Sequence, residues 1–397
     1  MAKTCSAAST ALWSASDGLT ERVRRLRDEY FAHETRTFRN EVLPFSTGTP
    51  WDAVYCPTHW TNVPEVMPFL KAFEDSLAAA ARVVPLPEGF WDEPLIKRVA
   101  LFFAEVVRAH LPVDILEGEL IVGGHFNVAL SLCLTKRAEK RYRRIANRLV
   151  KGITRLSNLG LGNCGAVPGH LIPDYPKLLR LGFRGIMAEI EALLLKQRDV
   201  EKRVALEGFA IAACATKDFA QRYADEAERL VMDAAPGRAE ELRAIASICR
   251  RVPWEPAETF HEALQSLWFT HMLAMVSESY PGPGVSFGRI DQYLYPFYAR
   301  DKKAGRLTED QARELLCCFF IKPNYAYDYQ ARIGRNQGIN SSFGQLITLG
   351  GCGPEGEDRS NDLTYLFLDV IEAMNMLEPK PNVRLHARTP DRLLQRV

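Results

Sequence analysis

Between Gln345 and His386 the hydrophobic period of the chain changes twice, and nothing else in it constrains the fold as much. Gln345 to Leu349 is a short apolar run ended by Gly350-Gly351, the pattern of a buried strand. From Ser360 to Leu377 the apolar residues Leu363, Leu366, Phe367, Val370, Ile371 and Met374 recur at helical spacing. Asn382-Val-Arg-Leu-His386 then alternates as a second strand does. Strand–helix–strand favours a right-handed crossover with parallel pairing, so the fold class is α/β. Next, Thr389-Pro390 offers an N-cap followed by proline at the first helical position, and Leu393, Leu394 and Val397 begin a further apolar face.

Upstream the chain reads mostly as helix. Thr308 with Gln311 makes a capping box, with Ala312, Leu315, Leu316, Phe319 and Phe320 on one face behind it. Asp218 to Ala235 is amphipathic and stops at Pro236-Gly237. Another helix begins at Asp174 or Tyr175, with Leu178, Leu179, Gly182, Ile186 and Ile190 along one side. Glu262 to Val276 is so apolar that it is expected to be buried nearly all round.

The 397 residues are 47% apolar and 25% charged, with a net charge of +1. This suits a soluble globular chain with a sizeable core, and gives no reason to expect nucleic acid or an anionic membrane as main partner. No apolar run approaches the ~18 residues of a membrane span. The first 20 residues lack the charged-then-apolar order of a signal peptide. Nine cysteines without pairing or metal spacing read as reduced thiols, so the expected compartment is cytoplasmic.

Two segments carry candidate function. In Glu278-Ser-Tyr-Pro-Gly-Pro-Gly-Val-Ser-Phe-Gly-Arg289, Gly282, Gly284 and Gly288 and two prolines break all periodicity, so the segment reads as a loop. The apolar run that follows (Ile290, Tyr293, Leu294, Tyr295, Phe297, Tyr298) sets this loop against a core, as a tight turn or as the wall of a pocket. The other segment is the basic stretch Lys136 to Lys151, which reads as a solvated helix face or as a contact for nucleic acid or an acidic partner. Aromatics for base stacking are nearly absent from it.

The glycine loop resembles that of the glycyl radical enzymes, the pyruvate formate-lyase-like family. Four further blocks agree in the family's order: Glu117-Gly-Glu-Leu-Ile-Val-Gly123, Gly169-His-Leu-Ile-Pro-Asp-Tyr175, Phe260-His-Glu-Ala-Leu-Gln-Ser-Leu-Trp268 and Leu346-Ile-Thr-Leu-Gly-Gly351. The resemblance runs from about residue 20 to the last residue. It implies a helix-rich α/β fold, the N-terminal half of a ten-stranded barrel made of two half-barrels. In domain terms, residues 1–20 read as a tail and 21–397 as one pyruvate formate-lyase-like domain.

In such enzymes a backbone glycyl radical, installed by an S-adenosylmethionine activase of the 4Fe–4S type, passes to a cysteine, which takes a hydrogen atom from a small polar substrate. The family's Cys-x-Glu and Arg-Val-x-Gly-Tyr motifs are both absent here: no cysteine has Glu two positions on. The resemblance therefore implies a chain that lacks the catalytic cysteine and radical glycine and binds no cofactor itself. Two readings stay open. One is the N-terminal part of a radical lyase, dehydratase or decarboxylase, inactive alone. The other is a non-catalytic truncated or split product acting only as a partner of a complementary half. The resemblance implies such a half or a homodimer as partner, and for the isolated chain an unpaired strand edge and a frayed end are expected.

By the same resemblance the substrate-facing candidates are His170, Asp174, Tyr280, Ser286 and Phe343. Each has a plainer reading. His170 reads equally as a turn histidine, Asp174 as a helix N-cap and Phe343 as core. Arg289 is expected to hold the loop (Gly282, Gly284, Gly288) through an ion pair with Asp291 or Glu278. Cys164 and Cys352 read as inert thiols.

Overall fold

The computed structural model describes residues 18–38, 82–111, 113–124, 130–132, isolated positions between 137 and 159, 171–277, 285–333, 345–376 and 378–397. In chain order these form α1 (Glu21–Phe38), β1 (Arg82–Val84), α2 (Leu95–Glu105), β2 (Leu130–Leu132), α3 (Tyr175–Lys196) and α4 (Val200–Val231). There follow α5 (Pro236–Arg251), α6 (Phe260–Ser277), α7 (Ile290–Lys303), α8 (Glu309–Ile333), β3 (Leu346–Gly350), α9 (Asp362–Met374), β4 (Lys380–Arg384) and α10 (Asp391–Leu394).

β3 and β4 pair in parallel, Leu346 opposite Lys380 and Gly350 opposite Arg384, with α9 as the crossover. Asn361 starts α9 with a reciprocal cap: its side chain accepts from Thr364 N–H (3.1 Å), and the Thr364 hydroxyl accepts from Asn361 N–H (3.0 Å). Two more segments extend the sheet. Phe287 N–H donates to Leu346 O and Thr348 N–H to Gly288 O, both at 2.8 Å, while Ser286 N–H donates to Leu171 O at 2.9 Å. The bridges are parallel, so the spatial order is 171, 285–288, β3, β4.

The end of the glycine-rich segment is thus strand-like. Val285 and Phe287 alternate with Ser286 and Gly288, and that short period is hidden beside the glycines and prolines. β1 and β2 form a second, separate parallel pair.

One face of the four-membered array is closed. Val285, Phe287, Ile347 and Leu349 are wholly buried there. Phe287 meets Phe319 of α8 at 5.3 Å between ring centres, and Phe320 meets Phe367 of α9 at 6.0 Å. Alternation along a strand turns Ser286, Leu346 and Thr348 to the opposite face, which is only half covered. Leu171, Ile172 and Leu385, at its ends, are exposed.

The helices follow the apolar pattern with three differences. α6 is buried nearly all round, as its composition requires. α3 is not continuous: Gly182 leaves the helix (φ 62°, ψ 172°), and Phe183 and Arg184 donate to Pro253 O and Trp254 O. A Cβ at Gly182 would lie 2.2 Å from Trp254 O, so only glycine fits the crossing. α4 begins at Val200, well before Asp218, capped by Asp199, whose carboxylate accepts from Lys202 N–H at 3.1 Å. Its first half is built of alanines and Gly208, small residues that give a weak periodic signal yet let α2 lie close to it. α4 ends at Val231, before the stop expected at Pro236-Gly237, and Pro236 instead opens α5.

Thr389 does not cap α10. Its hydroxyl accepts from His386 N–H (2.8 Å), turning back toward β4, and Pro390 precedes the helix without a side-chain bond. Leu393 is wholly buried, near Gly350, whereas Leu394 and Val397 stay exposed.

Candidate functional site

His271 lies on α6, fully buried, between two polar partners. The Gln345 amide nitrogen donates to Pro323 O (2.8 Å), which leaves the amide oxygen facing His271 Nε2 at 2.9 Å. Nε2 must therefore carry the proton and donate. Burial pushes the imidazole down to about 3, against the opposing hydrogen bond to Gln345, so the ring is neutral and Nδ1 is an acceptor. The Tyr175 hydroxyl donates to it at 2.8 Å. Phe287 lies flat on the ring, with centroids 3.9 Å apart and planes 11° from parallel. The Tyr293 hydroxyl ties down Phe287 O (2.8 Å).

This file joins three backbone roots. Tyr175 begins α3, Phe287 ends the glycine-rich segment and Gln345 precedes β3. The sequence candidates lie on the same three segments: His170 and Asp174 on the first, Tyr280 and Ser286 on the second, Phe343 on the third. One neutral imidazole holds these roots in register.

A second lock lies at the carboxyl end of β3. Arg289 donates to Gly350 O (2.8 Å) and Cys352 O (3.3 Å). Arg289 makes no hydrogen bond to Asp291, whose carboxylate is engaged elsewhere, although the guanidinium's charge favours the ionised form; Glu278, the other expected partner, lies outside the described residues. The Asp291 carboxylate accepts from Gly350 N–H (2.7 Å) and the Thr364 hydroxyl (2.6 Å). Burial outweighs these bonds and raises the Asp291 carboxyl above its ordinary value. Gly350 and Gly351 both have positive φ, 66° and 85°, which lets the chain turn sharply under the guanidinium.

The segment 117–124 is stitched to α6. Gln265 grips Val122 through both its N–H (2.9 Å) and its carbonyl (2.8 Å), while Trp268 Nε1 donates to Gly123 O at 3.1 Å. A Cβ at Gly123 (φ 126°) would sit 2.8 Å from that nitrogen, so glycine is needed for the approach. Glu119 forms a buried ion pair with Lys322 of α8 and also accepts from Leu116 N–H (3.0 Å). The blocks 117–123 and 260–268, far apart in sequence, are direct partners.

Of the sequence candidates, Ser286 lies on the half-covered sheet face, and Leu346 N–H approaches its hydroxyl at 3.4 Å. Asp174 is an exposed N-cap of α3, accepting from Lys177 N–H at 3.1 Å. Gly288 has φ 65°, and its carbonyl accepts from Thr348 N–H in the sheet. His170, Tyr280, Phe343, Gly282 and Gly284 lie outside the described residues, as does Cys164. Sequence reasoning missed His271 and Gln345. The available signal was a histidine inside a helix whose neighbours three and four residues away, Leu267, Trp268, Ala274 and Met275, are all apolar.

Among the described residues no group of His, Cys, Asp and Glu could hold a metal ion. Burial raises the thiols of Cys249, Cys317 and Cys318, the last to about 12, so none of these three is a ready nucleophile. No helix among the described residues is long and apolar enough to cross a membrane.

A parallel array with one helix-packed and one half-covered face, its segment roots locked on a buried imidazole, defines an α/β protein. A family model described as pyruvate formate lyase-like matches residues 162–397, and the chain belongs to that family. It is 40% identical over 234 residues to an isethionate sulfite-lyase of Nitratidesulfovibrio vulgaris, an alignment covering 57% of this chain and 28% of the relative. To a trans-4-hydroxy-L-proline dehydratase of Clostridioides difficile it is 33% identical over 238 residues, 58% of this chain and 30% of that one. In fold it matches a glycyl radical enzyme from Archaeoglobus fulgidus with a TM-score of 0.64 and 28% identity, over 81% of this chain and 49% of that structure. The chain thus has the helix-rich α/β architecture of part of the glycyl radical enzyme barrel and spans about half that structure's length.

Proposed function

We propose that this chain supplies the substrate-positioning part of a glycyl radical enzyme that eliminates a leaving group from a small polar substrate. The observation that carries the proposal is the Tyr175–His271–Gln345 file, which registers three segments along one open sheet face. The relatives' reactions, a sulfite-lyase and a dehydratase, support elimination at a C–S or C–O bond over acyl transfer.

The radical, relayed through a cysteine, supplies hydrogen-atom abstraction. This chain's residues orient and exclude. Ser286 and Tyr280 on one segment, with His170 and Phe343 on the neighbouring ones, contact the substrate. The apolar layer beneath, with Phe287 on His271, keeps water from one side of the site. Because the sequence contains neither Cys-x-Glu nor Arg-Val-x-Gly-Tyr, turnover requires a polypeptide that carries both, and a radical-S-adenosylmethionine activase. The domain assignment, a tail over 1–20 and one unit over 21–397, belongs to the same proposal, as does a cytoplasmic setting.

The test joins this chain to a segment bearing both motifs, activates it anaerobically and offers a hydroxyalkyl sulfonate and a hydroxylated amino acid in turn. Sulfite release or dehydration supports the reading. A full glycyl signal with neither product would overturn it.

A further inference from the structure

The bridge between Leu171 and Val285 is parallel, so Ile172 stands level with Ser286 and leaves the sheet on the same half-covered side. From there it leans over Gly288. A Cβ on that glycine would lie 3.0 Å from Ile172 Cγ2 and 3.8 Å from its Cδ1, and the backbone there has φ 65°. Glycine therefore leaves the room that the isoleucine fills. The contact covers only the underside of Ile172, which remains 61% exposed. Its β-branched side chain has few rotamers, and the backbone beneath it removes some of those.

Thr348 lies on the same face, on the neighbouring strand β3. Its N–H donates to Gly288 O (2.8 Å), while its hydroxyl, on a half-buried residue, bonds to no described residue. Threonine hydroxyls elsewhere are engaged: Thr216 donates to Ala213 O and Thr364 to Asp291, both at 2.6 Å, and Thr389 accepts from His386 N–H at 2.8 Å. The Ser286 hydroxyl meets Leu346 N–H, two residues before Thr348, and two residues of strand span about 7 Å. Two hydroxyls at that spacing, with an aliphatic wall beside them, match a short carbon chain that is polar at both ends.

We infer that Ile172 and Thr348 determine which substrate the half-covered face accepts: Thr348 hydrogen-bonds a substrate hydroxyl, and Ile172 limits the carbon chain lying between Thr348 and Ser286. This assignment rests on the proposal that substrate lies on that face, and adds its class, an alcohol of two or three carbons with a polar far end. Ile172 reads length because a wall that cannot swing away discriminates single methylene groups, by roughly 10–200-fold each in an apolar pocket. Thr348 fixes position. Its hydroxyl both donates and accepts, so it holds a substrate hydroxyl at one point of the strand.

The experiment uses the full chain joined to a segment bearing both missing motifs, with 2-hydroxyethanesulfonate, 2-hydroxypropanesulfonate and 2-hydroxybutanesulfonate as probes. Calorimetry before activation gives the Kd of each, and sulfite release after activation gives kcat/KM. The wild type should bind the two shorter probes and discriminate against the third. Ile172→Ala should reduce that discrimination at least tenfold, with Ile172→Val between, while Val99→Ala, an exposed control on α2, should leave it unchanged. Thr348→Val, which keeps the shape without the hydroxyl, should weaken all three probes alike by several-fold. A chain-length preference unmoved by Ile172→Ala, or affinities unmoved by Thr348→Val, would overturn the inference, as would a wild type that binds none of the three. Probes bound with the expected preference but never converted, under a full glycyl signal, would uphold it and overturn the elimination reading instead.

Discussion

His271 shows how a single buried side chain sets both stability and its pH dependence. Unfolded, the imidazole titrates near its ordinary 6.5; folded, burial holds it near 3. Between those values the unfolded chain takes up a proton that the folded chain refuses. This contribution to stability is therefore fully present above about pH 6.5 and is lost progressively as pH falls toward 3. Urea unfolding at pH 7.5 and pH 5 should show a lower midpoint at pH 5, and the difference should shrink in His271→Gln. A midpoint equally pH-sensitive in that variant would assign the effect elsewhere. Gly182 makes a sharper residue-scale case. Gly182→Ala must place a methyl on the Trp254 carbonyl at a positive φ, so a loss of about 2 kcal/mol or more is expected from denaturant melts, against under ~1 for a free helical site.

At the scale of elements, the parallel array depends on its turns as much as on its strands. Arg289 and Asp291 bind the two sides of Gly350, one its carbonyl and the other its N–H. They thereby tie the start of α7 to the end of β3 and the first turn of α9. Lysine at 289 keeps the charge but not the fork that spans Gly350 O and Cys352 O. Arg289→Lys should speed amide exchange over residues 350–359 while leaving α6 protected. Exchange unchanged in that window would mean that Asp291 alone holds the turn.

The whole molecule presents one closed and one open sheet face, and β4, at the edge of the described array, is largely exposed. Incubated anaerobically with an activase and S-adenosylmethionine, this chain by itself should give no glycyl doublet by electron paramagnetic resonance. A doublet would mean that an unrecognised glycine carries the radical. Joined to a segment that supplies both missing motifs, Ser286→Ala and Phe343→Ala should lower turnover by roughly tenfold or more with the doublet intact, since they alter how substrate is held. Unchanged kinetics in both would return these residues to packing roles.

The sequence by itself determined the local structure and the family. A period of two or of 3.6 is written in neighbouring residues, so β3, α9, β4 and the apolar character of α6 were legible in it, as were the Thr308–Gln311 box and the Asp174 cap. The five blocks that carry the resemblance were legible too, though not why they are kept together. Tertiary structure alone decided that 117–123 grips 260–268, that 285–288 joins the sheet, and that Arg289 holds the carbonyls of Gly350 and Cys352. It alone made His271 the common anchor of three distant segments. The reason is physical: a hydrogen bond between residues some 75 or 95 positions apart leaves no periodic trace along the chain. Its partners are chosen only when burial removes water as the alternative.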